Sequence, residues 1–201
     1  VALSREAAGG RALVAGDLTT TGVPLEPAGT MTYHELFEIY TEQITALAEA
    51  GADLLVVETM LGIDEMTVAL EAAQSVCALP VLCSMTVQAD GNGYFGGTCV
   101  EAVETLQELG AAAVGINCST GPDQLESLVH NMRQAAKVPL LVKPNAGMPE
   151  ISPEGEAIYS MGPAAFAQHM RTLIDAGAAL VGGCCGTDPR YISALRDVLP
   201  R

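Results

Sequence analysis

Six cysteines are spread over 201 residues, and three of them stand where chemistry can be done. Cys184 and Cys185 are adjacent, set between Gly182-Gly183 and Gly186-Thr187, directly after the apolar run Ala179–Val181. Neighbouring side chains on a regular strand point to opposite faces. Both sulfurs can therefore reach one ion only if the backbone leaves strand geometry, and the flanking glycines permit that bend. Cys118 is placed in the same way, since Gly115-Ile116-Asn117-Cys118-Ser119 closes another apolar run. Three thiolates select a soft or borderline metal, of which Zn²⁺ is the abundant candidate. Three protein ligands leave one position open, the pattern of a catalytic rather than a structural zinc. A substrate thiol entering that position would lose its proton and become a strong nucleophile. The spacing alone also allows a strained vicinal disulfide between Cys184 and Cys185, or plain buried thiols. Cys83, inside an apolar run, and Cys77, near a helix end, read as core residues. Cys99 falls in the first turn of a helix and reads as packing or surface.

These cysteines need strands to carry them, and the chain supplies a repeating unit. The apolar runs Ala12–Ala15, Asp53–Val57, Val81–Val87, Ala111–Ile116, Leu140–Val142 and Ala179–Val181 are strand-sized. Stretches of helical spacing lie between them, such as Leu36, Ile39, Tyr40, Ile44 and Leu47, then Val103, Leu106 and Leu109. Three run-ups are nearly copies: Ala50-Gly51-Ala52, Leu109-Gly110-Ala111 and Ala176-Gly177-Ala178. A glycine there suits a helix C-terminus that turns directly into the next strand. Thr98 with Glu101 fits a capping box, and Pro122 and Pro189 sit where first helical turns begin. Six strands alternating with helices predict an α/β fold of parallel βαβ units. A barrel and an open doubly wound sheet both satisfy the pattern. The segment Gly16-Asp17-Leu18-Thr19-Thr20-Thr21-Gly22 lacks dinucleotide-fingerprint spacing, which favours a TIM (β/α)8 barrel. A complete barrel has eight units and about 250 residues. The expectation is thus one domain over 1–201, a barrel truncated at its N-terminus by two βα units, opening on a helix tail at Val1–Ala8 and closing on a helix at Tyr191–Leu199. In such folds the strand carboxyl ends converge on one ligand-binding face, which would gather Cys118, Cys184 and Cys185.

Composition narrows the partners. Hydrophobic residues make up 49% and charged residues 16%, as expected of strands buried on both faces. The net charge of −15, with nine scattered Lys and Arg, argues against nucleic acid and against anionic membranes. No run reaches membrane-spanning length and no basic, apolar leader is present, so a cytoplasmic location is expected. Cysteines in such a composition do not read as a disulfide framework.

The motif Gly182-Gly183-Cys184-Cys185-Gly186, with the distant pair Asn117-Cys118, resembles the signature of the zinc-dependent homocysteine S-methyltransferases. Supporting segments are Gly16-Asp17 with Thr21-Gly22, Glu58-Thr59-Met60 and Lys143-Pro144-Asn145-Ala146-Gly147, so the resemblance runs from Ala12 to the end. It is closest to the homocysteine module of cobalamin-dependent methionine synthase. The resemblance implies a TIM barrel, transfer of a methyl group to homocysteine to give methionine, and Cys118, Cys184 and Cys185 as zinc ligands. It implies that Glu58 holds the substrate ammonium, with Asp17 and Asn145 as further candidates in the pocket. Asp17 and Asn145 have plain turn-forming roles as alternatives, and Asn145 could also fill the open zinc position when no thiol is bound. Lys143 could balance the anionic site. His34, His130 and His169 lie in helical stretches and carry no assigned chemistry.

The family normally opens with two strands that contribute substrate contacts, and the sequence has neither. A barrel short of two strands exposes sheet edges. The chain is then a fragment, or another chain or self-association covers the gap. The methyl donor would be methylcobalamin brought by another domain or protein, or a sulfonium such as S-methylmethionine. Two other readings are a non-catalytic truncated barrel that binds zinc or a partner, and a redox sensor using Cys184 and Cys185.

Overall fold

The computed structural model describes residues 1–200. Helix α1 (Ala2–Ala8) leads into strand β1 (Ala15–Leu18), and four βα units follow: α2 (Tyr33–Glu49), β2 (Leu54–Met60), α3 (Ile63–Val76), β3 (Val81–Met85), α4 (Cys99–Glu108), β4 (Ala113–Asn117), α5 (Glu126–Ala135) and β5 (Leu140–Lys143). A hairpin of β6 (Pro149–Ile151) and β7 (Ala157–Tyr159) is inserted before α6 (Pro163–Asp175), β8 (Ala178–Val181) and α7 (Pro189–Val198). The six long-range strands form one parallel sheet in the order β1-β2-β3-β4-β5-β8. Every step joins neighbouring strands in chain order, so the sheet winds in one direction without the strand-order reversal of a doubly wound fold.

The curl of the sheet is visible in its side chains. Lys143 at the end of β5 forms an ion pair with Glu58 of β2. These strands are three places apart, which is about 14 Å in a flat sheet at roughly 4.8 Å per strand. Asn117 of β4 likewise reaches over β3 to hydrogen-bond Thr59 of β2 at 2.7 Å. Such contacts close only across the concave side of a curved sheet. The architecture is therefore six consecutive βα units of a TIM-type barrel, and β1 and β8 do not pair with each other.

The helices cover the convex side. In α2 the residues Leu36, Tyr40 and Ile44 recur one turn apart and are fully buried. Thr32 and Glu35 form a reciprocal capping box at its start, and Thr98 and Glu101 form another on α4. Gly51, Gly110 and Gly177 all have positive φ (86°, 92° and 119°), which is how each helix turns straight into its strand. The T-shaped pair Phe166–Tyr191, with ring centroids 5.5 Å apart, locks α6 to α7. Cys83 and Cys99 are buried, and Cys77 caps the C-terminus of α3.

Three local expectations shift. The first strand runs over Ala15–Leu18 rather than Ala12–Ala15, because Leu13 is exposed and the Val14 N–H donates to Asp53 Oδ2 at 2.7 Å. Asp17 thus stands within a strand and not in a turn. Gly16 faces Leu47 and Leu55, so Asp17 projects to the opposite, concave face. The second strand continues to Met60 through an irregularity between Val57 and Met60. The hairpin β6–β7 had no counterpart in the sequence reading: its strands are short and solvent-exposed, and apolar periodicity does not reveal such strands.

Candidate metal centre

The strand ends bring Cys118, Cys184 and Cys185 together, with their sulfurs all within 4.8 Å of one another. Among the described residues no other group of three His, Cys, Asp or Glu side chains is so arranged. Cys118 lies one residue beyond β4 and adopts a left-handed conformation with φ 54°. A non-glycine residue there stores strain, which the surroundings must over-determine. They do: its N–H donates to Lys143 O at 3.1 Å and its carbonyl accepts from Asn145 Nδ2 at 3.1 Å.

After Val181 the chain leaves strand geometry, as two adjacent sulfurs facing one point require. The Cys184 N–H donates to Pro144 O at 2.9 Å, and Cys185 O accepts from the Ala146 N–H at 2.9 Å. The side chain of Asn145 completes the clip, because its Oδ1 accepts from the Cys185 N–H at 3.1 Å. Asn145 is buried, and its amide is spent on the backbone of both cysteine segments. Gly183 is required by contact: a Cβ there would lie 2.4 Å from Thr187 Oγ1.

The donor set fits a thiophilic ion. Cys118 and Cys185 sulfurs are 3.3 Å apart, well beyond a disulfide bond of about 2.05 Å. Zinc–sulfur bonds of about 2.3 Å give a tetrahedral edge near 3.8 Å, a spacing these three sulfurs reach with small adjustments. All six cysteines are free thiols. The proton distribution is uneven: a hydrogen bond from Cys118 and a further one from Asn117 pull the Cys184 thiol down to about 6. The same coupling to Cys184, with burial, pushes Cys118 up. Of the coupled thiols, Cys184 is the one its surroundings favour as thiolate.

Beside the sulfurs lies a charged corner. Glu58 pairs with Lys143, so the carboxylate expected to face water or substrate already has a cationic partner. Burial and the nearby Glu58 charge hold the Asp17 carboxyl above its ordinary range, against the pull of Lys143. Asp17, Glu58 and Lys143 therefore share one part of the concave face. The hairpin meets the cysteine loop as well. Tyr159 of β7 stacks against Gly186, where an added Cβ would sit 2.3 Å from its ring. Burial and the thiols of Cys185 and its neighbours push the Tyr159 phenol up. Gly186 also has φ 78°. Gly186→Ala is expected to displace the hairpin and destabilise the chain by about 1–3 kcal/mol, seen as a lower midpoint in urea denaturation.

Sequence reasoning did not find Thr59, Ser84 or Tyr159 at this site. Thr59 stood in the segment Glu58-Thr59-Met60 without a role of its own, Ser84 carries no motif, and both reach the site through Asn117; Tyr159 arrives on a segment the apolar pattern does not show.

The sequence model of the homocysteine S-methyltransferases matches residues 1–199. The chain belongs to the homocysteine S-methyltransferase family. Among curated relatives it is 30% identical over 186 residues to the methionine synthase of Mycobacterium leprae, covering 90% of this chain and 15% of that protein. It is 30% identical over 177 residues to the methionine synthase of Mycobacterium tuberculosis, covering 85% and 15%. The chain therefore spans about 15% of the length of these relatives. Among solved structures, the apo form of the homocysteine methyltransferase MmuM from Escherichia coli superposes with a TM-score of 0.78 at 24% identity, covering 98% of this chain and 70% of that one. The carboxyl transferase domain of Rhizobium etli pyruvate carboxylase also matches, at a TM-score of 0.55 and 16% identity. The architecture thus hosts unrelated chemistry, and in this homocysteine S-methyltransferase family member the site must carry the functional argument.

Proposed function

We propose that this chain is the homocysteine-activating part of a zinc-dependent methyltransferase that produces methionine, with residues 1–201 forming one barrel unit. The observation that carries the reading is the convergence of three thiols at the strand ends of the sheet that also carries Asp17 and Glu58, with Lys143 pairing with Glu58 and accepting from the Cys118 N–H at its carbonyl. Cys118, Cys184 and Cys185 are the residues that would hold Zn²⁺. When bound there, zinc lowers the pKa of an incoming thiol so that it is deprotonated near neutral pH.

The rest is the work of the chain's own side chains. Asn145 fixes the relative position of the Cys118 and Cys185 segments through two hydrogen bonds. Glu58 offers the substrate ammonium a charge-assisted hydrogen bond in exchange for part of its pairing with Lys143. Asp17 adds a second carboxylate to that corner. The amino acid is thereby anchored at one end with its sulfur directed at the thiolate centre. Its thiol proton leaves to solvent. A sulfur lone pair then forms the S–CH₃ bond, while the donor keeps the electron pair of the bond it loses. The donor is a methylated corrinoid on another domain or protein, or a sulfonium. Reduced thiols are a condition of this chemistry, which fits a cytoplasmic setting. No described helix is long and apolar enough to cross a membrane.

Zinc content per purified chain tests the reading first. About one equivalent is expected, followed by methyl transfer to homocysteine from one of the candidate donors. Folded, reduced protein without zinc would remove the basis of the mechanism. Glu58→Gln is expected to retain zinc but to weaken homocysteine binding roughly tenfold to hundredfold, the value of a hydrogen bond to a charged group. Calorimetric titration of the zinc-loaded variant reads this directly, and unchanged affinity would remove Glu58 from the pocket.

A further inference from the structure

Asn117 is 1% exposed, and every hydrogen-bonding position of its side chain is occupied. Its Oδ1 accepts from the Thr59 N–H at 2.8 Å and from Ser84 Oγ at 2.7 Å. Its Nδ2 donates to Thr59 Oγ1 at 2.7 Å and to Cys184 Sγ at 3.8 Å. The backbone N–H of Thr59 can only donate, so it fixes which end of the amide is oxygen. The amide nitrogen must then face the sulfur, which receives a hydrogen bond.

Thr59 is the other half of the argument. It has φ 59°, a conformation that β-branched residues rarely adopt, and it sits in the irregular stretch of β2 between Val57 and Met60. Glu58 is the residue immediately before it. The two hydrogen bonds between Asn117 and Thr59 clamp this stretch from across β3 and so set the direction in which Glu58 projects. One buried amide therefore spans the carboxylate corner and the thiol cluster.

We infer that Asn117 is a positioning residue that holds Glu58 and Cys184 in a common register, so that a substrate's ammonium and sulfur are recognised at a fixed separation. This rests on the homocysteine reading above and extends it to selection between thiols. A thiol with an ammonium gains from Glu58 only while the clamp is intact; a thiol without one is indifferent to it.

The test compares L-homocysteine with 4-mercaptobutyrate, its analogue lacking the amino group, by calorimetric titration of the zinc-loaded chain. Wild type is expected to prefer homocysteine by roughly tenfold or more, the worth of one charge-assisted contact. Asn117→Ala should erase most of that preference chiefly by weakening homocysteine. The double variant Asn117→Ala/Thr59→Gly removes the backbone strain at φ 59° and so separates folding from positioning. It should recover thermal stability without recovering the preference. Fast amide exchange at Thr59 in Asn117→Ala, against slow exchange in wild type, gives a readout that needs no metal. A preference that survives in Asn117→Ala, or returns in the double variant, overturns the positioning role alone. A wild-type chain with no preference overturns both this inference and the assignment of Glu58.

Discussion

Cys118→Ala is expected to lose zinc under conditions in which wild type keeps about one equivalent, and to lose methyl transfer with it, while the fold survives. Structural zinc sites bind with about 10–16 kcal/mol over four ligands, so one thiolate is worth roughly 3 kcal/mol. Affinity should fall on the order of a hundredfold or more. Cys118 stands beyond the end of β4 at a strained φ of 54° and is half-buried, so an alanine there deletes little packing. Circular dichroism and thermal unfolding of the metal-free proteins should therefore nearly coincide. Zinc determined by elemental analysis after dialysis against a graded chelator series reads the affinity, and Cys185→Ser should behave alike. Wild-type zinc content or full turnover in Cys118→Ala would refute the three-thiolate site.

The second large effect concerns stability and lies away from the sulfurs. Glu65, in the first turn of α3, is 5% exposed. Its carboxylate accepts from Thr20 Oγ1 at 2.5 Å, from the Thr21 N–H at 2.7 Å, from Thr21 Oγ1 at 2.9 Å and from the Tyr40 hydroxyl at 2.9 Å. The helix N-terminus adds a favourable field. Burial, and then the Glu65 charge, push the Tyr40 phenol up, so it stays a donor through the neutral range. Glu65→Ala takes the shared acceptor from the part-buried donors of Thr20 and Thr21, while the Tyr40 hydroxyl keeps only Thr19 O at 3.1 Å, and should cost about 2–4 kcal/mol. Glu65→Gln retains an acceptor and should cost less than half of that. Urea denaturation of both variants decides the matter; a midpoint for Glu65→Ala indistinguishable from wild type would sink the account. The segment from Thr20 to Gly22 begins one residue after β1 ends, so the loss should also loosen the approach to Asp17.

Much of this was legible in the residues themselves. Parallel strands are buried on both faces and must announce themselves as apolar runs, and glycines such as Gly51, Gly110 and Gly177 are demanded by backbone conformation whatever surrounds them. Thr98 with Glu101 specifies a helix start from four residues alone. The double-cysteine motif is legible for a related reason: adjacent cysteines between glycines have few uses, and soft-metal ligation is the strongest of them.

What tertiary structure decided are the relations between strands. Barrel and open sheet share one local pattern, and the missing dinucleotide spacing only favours the barrel; the strand order, with Glu58 meeting Lys143 and Asn117 meeting Thr59 across the concave face, decides it. The sequence places Asn117 beside Cys118 but cannot say that its amide reaches Thr59, which is 58 residues away. Nor can it show that Glu65 gathers the Thr20–Thr21 segment and Tyr40, because a glutamate in a first helical turn usually faces water. Local propensity and periodicity act over a few residues and are written in the chain order. Buried hydrogen bonds between distant strands depend on the register and curvature of the whole sheet, and these are settled only when the core packs.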